Sequence, residues 1–353
     1  MITLTLRSVR KNEHIAHAIE TGQEKKHGFD DVQFVHQSLP NMNSERVDIS
    51  TTIGELVMSS PIFINAMTGG GGERTKDVNQ RLAEVAKHAN IGIAVGSQMA
   101  AIKNVEERES YSIVRKVNPK GVIIGNLGSE ATVEQAKTAV DMLEANALQI
   151  HLNVVQELVM PEGDRDFSGA IDRIEKIVNA LPVPVIVKEV GYGMSKEAAK
   201  KLADAGVSIV DVGGFGGTNF SKIENMRREK VLQFFNDWGI QTTSSIVEVV
   251  KSQPFMHVIA SGGIQNALDI VKSLSLCATA TGLAGYFLKI LLDDGEEALV
   301  KEIESMHSEI KMLMTALGVE NVNELKKVPL VISGPTYHWL KQRGFSTEEY
   351  SQR

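Results

Sequence analysis

Eight short apolar runs, each ending in small or polar residues, punctuate the chain. They are PIFINAM (61–67), IGIAVGS (91–97), VIIGNLG (122–128), ALQIHLN (147–153), PVIVKEV (184–190), SIVDVGG (208–214), HVIASGG (257–263) and ATATGLAG (278–285). Rich in Val, Ile and Ala and apolar almost without alternation, they read as strands covered on both faces. Between them lie segments of helical periodicity, among them TKDVNQRLAEVAKHAN, TVEQAKTAVDMLEAN, SGAIDRIEKIVNAL and SKEAAKKLADAG. Ser195 supplies a start signal for the last of these and Gly206 a stop. Strand followed by helix, eight times over, predicts an α/β fold of the TIM (β/α)8-barrel type. An open doubly wound sheet usually has fewer strands.

Two segments fall outside the repeat. Residues 1–60 form an N-terminal extension whose VDISTTIGELVMS stretch suits a hairpin beneath the barrel. The connection 215–256 is the longest and must hold more than one plain helix. Long loops in compact domains are usually functional, which makes it a candidate lid. EEALVKEIESMHSEIKMLMTAL reads as a C-terminal helix. With no linker and no low-complexity segment, residues 1–353 are expected to form a single barrel domain.

Composition narrows the function classes. With 353 residues, 42% of them hydrophobic, the chain can bury one large core. No uncharged apolar stretch reaches about 18 residues, so no membrane span is expected. MITLTLRSVRKNEH is too soon interrupted by charge for a secretory signal. Cys277, the only cysteine, is expected to be a buried structural thiol, because no histidine or acid flanks it. These features fit a reducing cytoplasm. A net charge of -7 argues against a nucleic-acid surface, so an anionic ligand would need a local constellation of donors.

In such barrels the chemistry sits at the C-terminal strand ends. Here those ends carry Met67-Thr68-Gly69, Ser97, Asn126, His151 and Asn153, Lys188, Gly213, Gly262-Gly263 and Ala284-Gly285. Any one of these could be a turn or a cap; Asn126, for instance, could cap a helix. A polar or glycine set at every strand end is better explained as a ring around one mouth. GGFGGTN (213–219), SGG (261–263) and AG (284–285) follow the last three strands, where barrels commonly hold phosphate on backbone N–H groups. Thr218 adds a hydroxyl. Lys188 ends a very apolar strand and needs an anionic or electron-rich partner, either neighbouring Glu189 or the N1–O2 edge of a flavin. His151 and Asn153 alternate onto one face, with Gln156 and Glu157 just beyond. Glu157 is either a solvated loop acid or a Mg2+ ligand sharing the ion with substrate phosphate and water. At the N-terminus, Arg10 and His14 would share a helix face, with Lys11 beside them; this is either a solvated basic start or a diphosphate clamp.

Taken in order, RKNEH (10–14), MTGG (67–70), VGSQ (95–98), NLG (126–128), HLNVVQE with PEGDRDF, VIVKE, GGFGGTN, SGG and AG resemble the type 2 isopentenyl-diphosphate isomerases across essentially the whole chain. That resemblance implies FMN held by Met67, Thr68, Gly69, Ser97, Asn126, Lys188, Thr218, Gly262, Gly263, Ala284 and Gly285. It implies diphosphate contacts from Arg10, Lys11, His14, His151 and Asn153, so that the 1–60 extension contributes to the substrate site. Gln156 would lie beside the isoprene carbons and the flavin, and Glu157 would bind Mg2+. It further implies flavin reduction by NADPH, a redox-neutral interconversion of isopentenyl and dimethylallyl diphosphate in isoprenoid biosynthesis, and a cytoplasmic tetramer or octamer. One departure is Met99, where some relatives carry arginine. The alternative reading is another FMN barrel, an oxidoreductase acting on a small anionic substrate. Oxidases of hydroxy acids place a histidine base and an arginine at the late strand ends, and neither residue type occurs at 212–219 or 260–264.

Overall fold

The computed structural model describes residues 27–353. Each of the eight apolar runs contains one strand: β1 (Ile62–Ile64), β2 (Gly92–Ala94), β3 (Ile123–Gly128), β4 (Ala147–Leu152), β5 (Val185–Glu189), β6 (Ile209–Asp211), β7 (His257–Ser261) and β8 (Ala280–Leu283). They pair in parallel in chain order, and β8 closes on β1 through the register Thr281↔Ile62, giving an eight-stranded barrel. Strands buried on both faces need helices outside them. Gly72–His88, Val133–Leu143, Ala170–Ala180, Lys196–Asp204, Thr242–Ser252 and Ala267–Ser275 are among those that supply this cover.

Local signals set the helix ends. Thr132 and Gln135 form a reciprocal capping box, and the Ser195 hydroxyl accepts from Ala198 N. Gly206, at φ +83°, ends the latter helix as the sequence predicts. The C-terminal helix spans Glu296–Leu317. The connection after β6 does hold more than a plain helix: Phe220–Asn225, a 3-10 turn at Gln233–Phe235, and Thr242–Ser252.

The extension plugs the barrel floor. Thr51–Ile53 and Leu56–Met58 pair antiparallel, the hairpin expected beneath the barrel. Its Ile53, Leu56 and Met58 pack with Phe63, Ala94, Ile124, Ala147, Ile186, Ile209, Ile259 and Ala280, one residue from each strand. Val32–Phe34 pairs with Leu330–Ile332, tying the extension to the C-terminal region. Arg10, Lys11 and His14 lie outside the described residues. Cys277 departs from the buried thiol expected of it: it is only partly buried, adopts φ +78°, and its sulfur receives Arg353 Nη2 at 3.3 Å.

Candidate active site at the barrel mouth

Side chains along a strand alternate in direction, so the residue two beyond each floor residue also points into the barrel. Counting two from the apolar floor gives Asn65, Gly96, Asn126, Gln149, Lys188, Asp211, Ser261 and Gly282. The inner layer above the apolar floor is therefore polar or glycine in every strand, and all eight residues are buried.

Such a layer must satisfy its own hydrogen bonds. Asp211, fully buried, accepts from Asn65 Nδ2 at 2.7 Å, Lys188 Nζ at 3.0 Å, Gly213 N at 3.1 Å and the Ser261 hydroxyl. Gln149 Nε2 donates to Asn65 Oδ1 at 3.1 Å, and Asn126 Nδ2 donates to Gln149 Oε1 at 3.1 Å. Asn126 is therefore a strand residue in a buried network and caps no helix. Lys188 pairs with Asp211 and not with its neighbour Glu189.

Glu189 has a different task. Its Oε2 accepts from the backbone N–H groups of Val190, Gly191 and Tyr192 at 2.6, 2.9 and 2.7 Å, folding the β5 exit into a tight nest. Burial pushes its carboxyl up to about 7, against the pull of those three donors and of the Lys188 charge.

Above the polar layer opens a cavity of about 430 Å3, within the range of ligand sites. Met67, Thr68, Ser97, Asn126, His151, Asn153, Gln156, Glu157, Lys188, Thr218, Gly262, Gly263, Ala284 and Gly285 all line it. Gly69 does not; it sits behind the wall, its carbonyl accepting from Thr75. Met99 lines the cavity while buried in the apolar core, at the start of the helix Met99–Lys103. Sequence reasoning had not singled out Asn65, Gln149, Asp211 or Ser261 as site residues. The signal was present, because each stands two positions beyond a floor residue.

The β4 exit is held by its own contacts. His151 Nδ1 lies 3.0 Å from Asn126 Oδ1. Asn153 Nδ2 donates to Glu157 Oε1 at 2.8 Å, and Asp164 N donates to Glu157 Oε2 at 3.0 Å. Glu157 is thus held in place and is not a loosely solvated acid. Among the described residues, no group of three or more His, Cys, Asp or Glu could hold a metal, so Glu157 offers a single carboxylate.

The glycine loops interlock across the opposite side. A Cβ on Gly262, at φ +110°, would stand 2.1 Å from Gly214 O, and one on Gly217 would stand 2.7 Å from Gly263 N. Only glycines let the β6 and β7 exits approach this closely, which brings the backbone of both loops to one edge of the cavity. A deep mouth with a buried cation on its floor and a glycine edge fits a planar cofactor bearing a phosphate.

Comparison with known proteins converges on the same place. The family of FMN-dependent dehydrogenases matches residues 115–331. A curated protein of Bacillus cytotoxicus named isopentenyl-diphosphate delta-isomerase is 61% identical over 347 residues, covering 98% of this chain and 99% of its own. Proteins of the same name from Bacillus cereus and Bacillus pumilus are 60% and 58% identical, each covering at least 98% of both chains. Among solved structures, a mutant flavocytochrome b2 with pyruvate bound superposes with a TM-score of 0.68 at 20% identity, covering 95% of this chain and 85% of that one. A mutant mandelate oxidase with benzaldehyde superposes at 0.66 and 15% identity, covering 94% and 99%. At such identities these two establish the fold alone.

Proposed function

The chain belongs to the isopentenyl-diphosphate delta-isomerase family and to the FMN-dependent dehydrogenases, and from that premise we propose how its barrel mouth works. It is an FMN enzyme that interconverts isopentenyl diphosphate and dimethylallyl diphosphate. The observation that carries the site assignment is a single cavity joining the β6–β8 glycine edge, Lys188, and the β4 cluster His151–Asn153–Gln156–Glu157.

The reaction moves one double bond: a proton adds to the terminal CH2 carbon and another leaves C2. Bound reduced FMN supplies an electron-rich face and an exchangeable proton for this chemistry. Apart from the His151 imidazole, the protein's own groups at the site are suited to holding and not to shuttling protons. Gln156 is an amide, without a useful proton affinity at neutral pH. Glu157 is tied to Asn153 and Asp164, Lys188 to Asp211, and Glu189 to three amides. Positioning and desolvation are therefore the protein's contribution.

Gly262, Gly263, Ala284 and Gly285 would hold the cofactor's phosphate, with Thr218 as a hydroxyl donor; Met67, Thr68, Ser97, Asn126 and Lys188 would border the ring, with the Gly69 backbone behind them. His151 and Asn153 take the substrate diphosphate, joined by Arg10, Lys11 and His14 of the extension. Gln156 would face the isoprene carbons, and Glu157 would hold Mg2+ through its one carboxylate, leaving the remaining ligands to substrate and water. NADPH would be the reductant for the bound flavin. The enzyme is a single-domain cytoplasmic homo-oligomer, a tetramer or octamer.

The test is an omission series with isopentenyl diphosphate, FMN, Mg2+ and NADPH under anaerobic conditions. Dimethylallyl diphosphate should form only when all four are present, with yellow protein bleaching on reduction. Full turnover by flavin-free protein would overturn the proposal.

A further inference from the structure

The polar layer of the barrel has a direction. A carboxylate accepts hydrogen bonds and donates none. Asp211 therefore obliges Asn65 to turn its amide nitrogen inward, at 2.7 Å, and its oxygen away. Ala66 N also donates to that oxygen at 2.9 Å, a neutral bond that acts in the same sense as the stronger charge-assisted one to Asp211. With Asn65 Oδ1 committed as an acceptor, Gln149 must offer it Nε2, at 3.1 Å, and present Oε1 on the other side. Asn126 gives Nδ2 to that oxygen at 3.1 Å, which leaves its own Oδ1 facing His151 Nδ1 at 3.0 Å. An amide oxygen only accepts, so Nδ1 must carry a proton.

We infer that Asp211 sets the tautomer of His151 through Asn65, Gln149 and Asn126. The relay starts on β6, passes the segment just beyond β1, then β4 and β3, and returns to β4. Neither Asp211 nor Gln149 lines the cavity, whereas His151 and Asn126 do. The first two are positioning residues acting on a ring they do not touch. The relay is buried, so turning a single amide over would set N–H against N–H and oxygen against oxygen with no water to compensate. The same bond fixes the pose in which the imidazole lines the cavity. Its use in holding diphosphate rests on the isomerase reading; the tautomer does not.

The test is magic-angle-spinning NMR of sedimented FMN-bound protein with 15N-labelled histidine, at a pH of about 9, well above the ordinary histidine range. His151→Gln identifies the resonances by their disappearance. The wild-type ring should show a protonated, pyrrole-type Nδ1 and a pyridine-type Nε2 as one species. Asp211→Asn, which can both donate and accept, should replace that species by a mixture or by the reversed tautomer. Gln149→Met cuts the relay with a side chain of similar size while keeping the Lys188–Asp211 pair, and should also lose the single tautomer. It carries the test if the Asp211 variant does not fold. A wild-type ring protonated on Nε2 would overturn the inference, as would the wild-type tautomer persisting in a folded relay variant. No substrate is present, so either failure leaves the isomerase reading standing. Conversely, the expected tautomer in a protein without isomerase activity would keep the relay and sink that reading.

Discussion

At the scale of single residues, the decisive feature is a buried ion pair in the barrel interior. Lys188 and Asp211 are both buried and 3.0 Å apart. Removing one partner of such a pair typically costs about 3–5 kcal/mol, because the other charge is left without compensation. Lys188→Ala should therefore destabilise the fold by that order in urea titrations. It should also make bound FMN harder to reduce, since the cation at the floor of the mouth is gone. An unchanged reduction potential together with unchanged stability would remove Lys188 from the site. For Glu157→Gln the expectation is a raised Mg2+ requirement and a raised KM for the diphosphate substrate, and an unaltered Mg2+ titration would refute its ligand role. Glu189 gives a pH prediction. Its folded value of about 7 lies above the ordinary carboxyl value of 4.5, so the native state holds its proton more tightly than the unfolded chain. That linkage favours the fold at low pH and is lost as pH rises from about 4.5 to 7. The Tm of the wild type relative to Glu189→Gln should fall across that window and flatten above it. A relative Tm that rises instead would mean the three amide donors outweigh burial.

At the scale of elements, the strands and most helices were legible because their physics is local. Apolar runs without alternation mark strands covered on both faces, and Ser195, Gly206 and Thr132 mark helix ends through side-chain and backbone hydrogen bonding within a few residues. The hairpin under the floor was legible for the same reason. It is also structural: Ile53 is fully buried against the floor layer, and Ile53→Ala should cost about 2–5 kcal/mol by the usual cavity penalty. A loss below 1 kcal/mol in denaturant unfolding would mean the plug is not part of the core. The approach of the β1 and β2 exits could not be read from the chain. A Cβ on Gly96 would stand 0.8 Å from Thr68 O, a clash that no rotamer change relieves. Gly96→Ala should therefore displace the loop carrying Thr68 and weaken FMN binding by at least tenfold in a flavin titration. Wild-type affinity would show that the two exits move independently of the site.

At the scale of the whole molecule, the barrel, its ring of strand-end residues and its single mouth follow from the eightfold pattern. The partner of Lys188 did not follow, because Glu189 is adjacent in sequence while Asp211 is adjacent only through the β5–β6 register. Asn65 and Gln149 were missed for a related reason: inside an apolar run a lone amide looks incidental until the barrel closes and supplies its partners. The diphosphate assignment depended on the ordered family motifs, since neither RKNEH nor Glu157 outweighs a solvated reading on spacing alone. The central claim is that a dehydrogenase-like flavin barrel here performs a redox-neutral isomerisation. It is tested most directly by counting NADPH oxidised against dimethylallyl diphosphate formed, anaerobically, with FMN, Mg2+ and isopentenyl diphosphate in excess. The account predicts many product molecules for each NADPH consumed, after an initial stoichiometric reduction of the flavin. One NADPH spent per turnover, or flavin reduction with no dimethylallyl diphosphate, would contradict it.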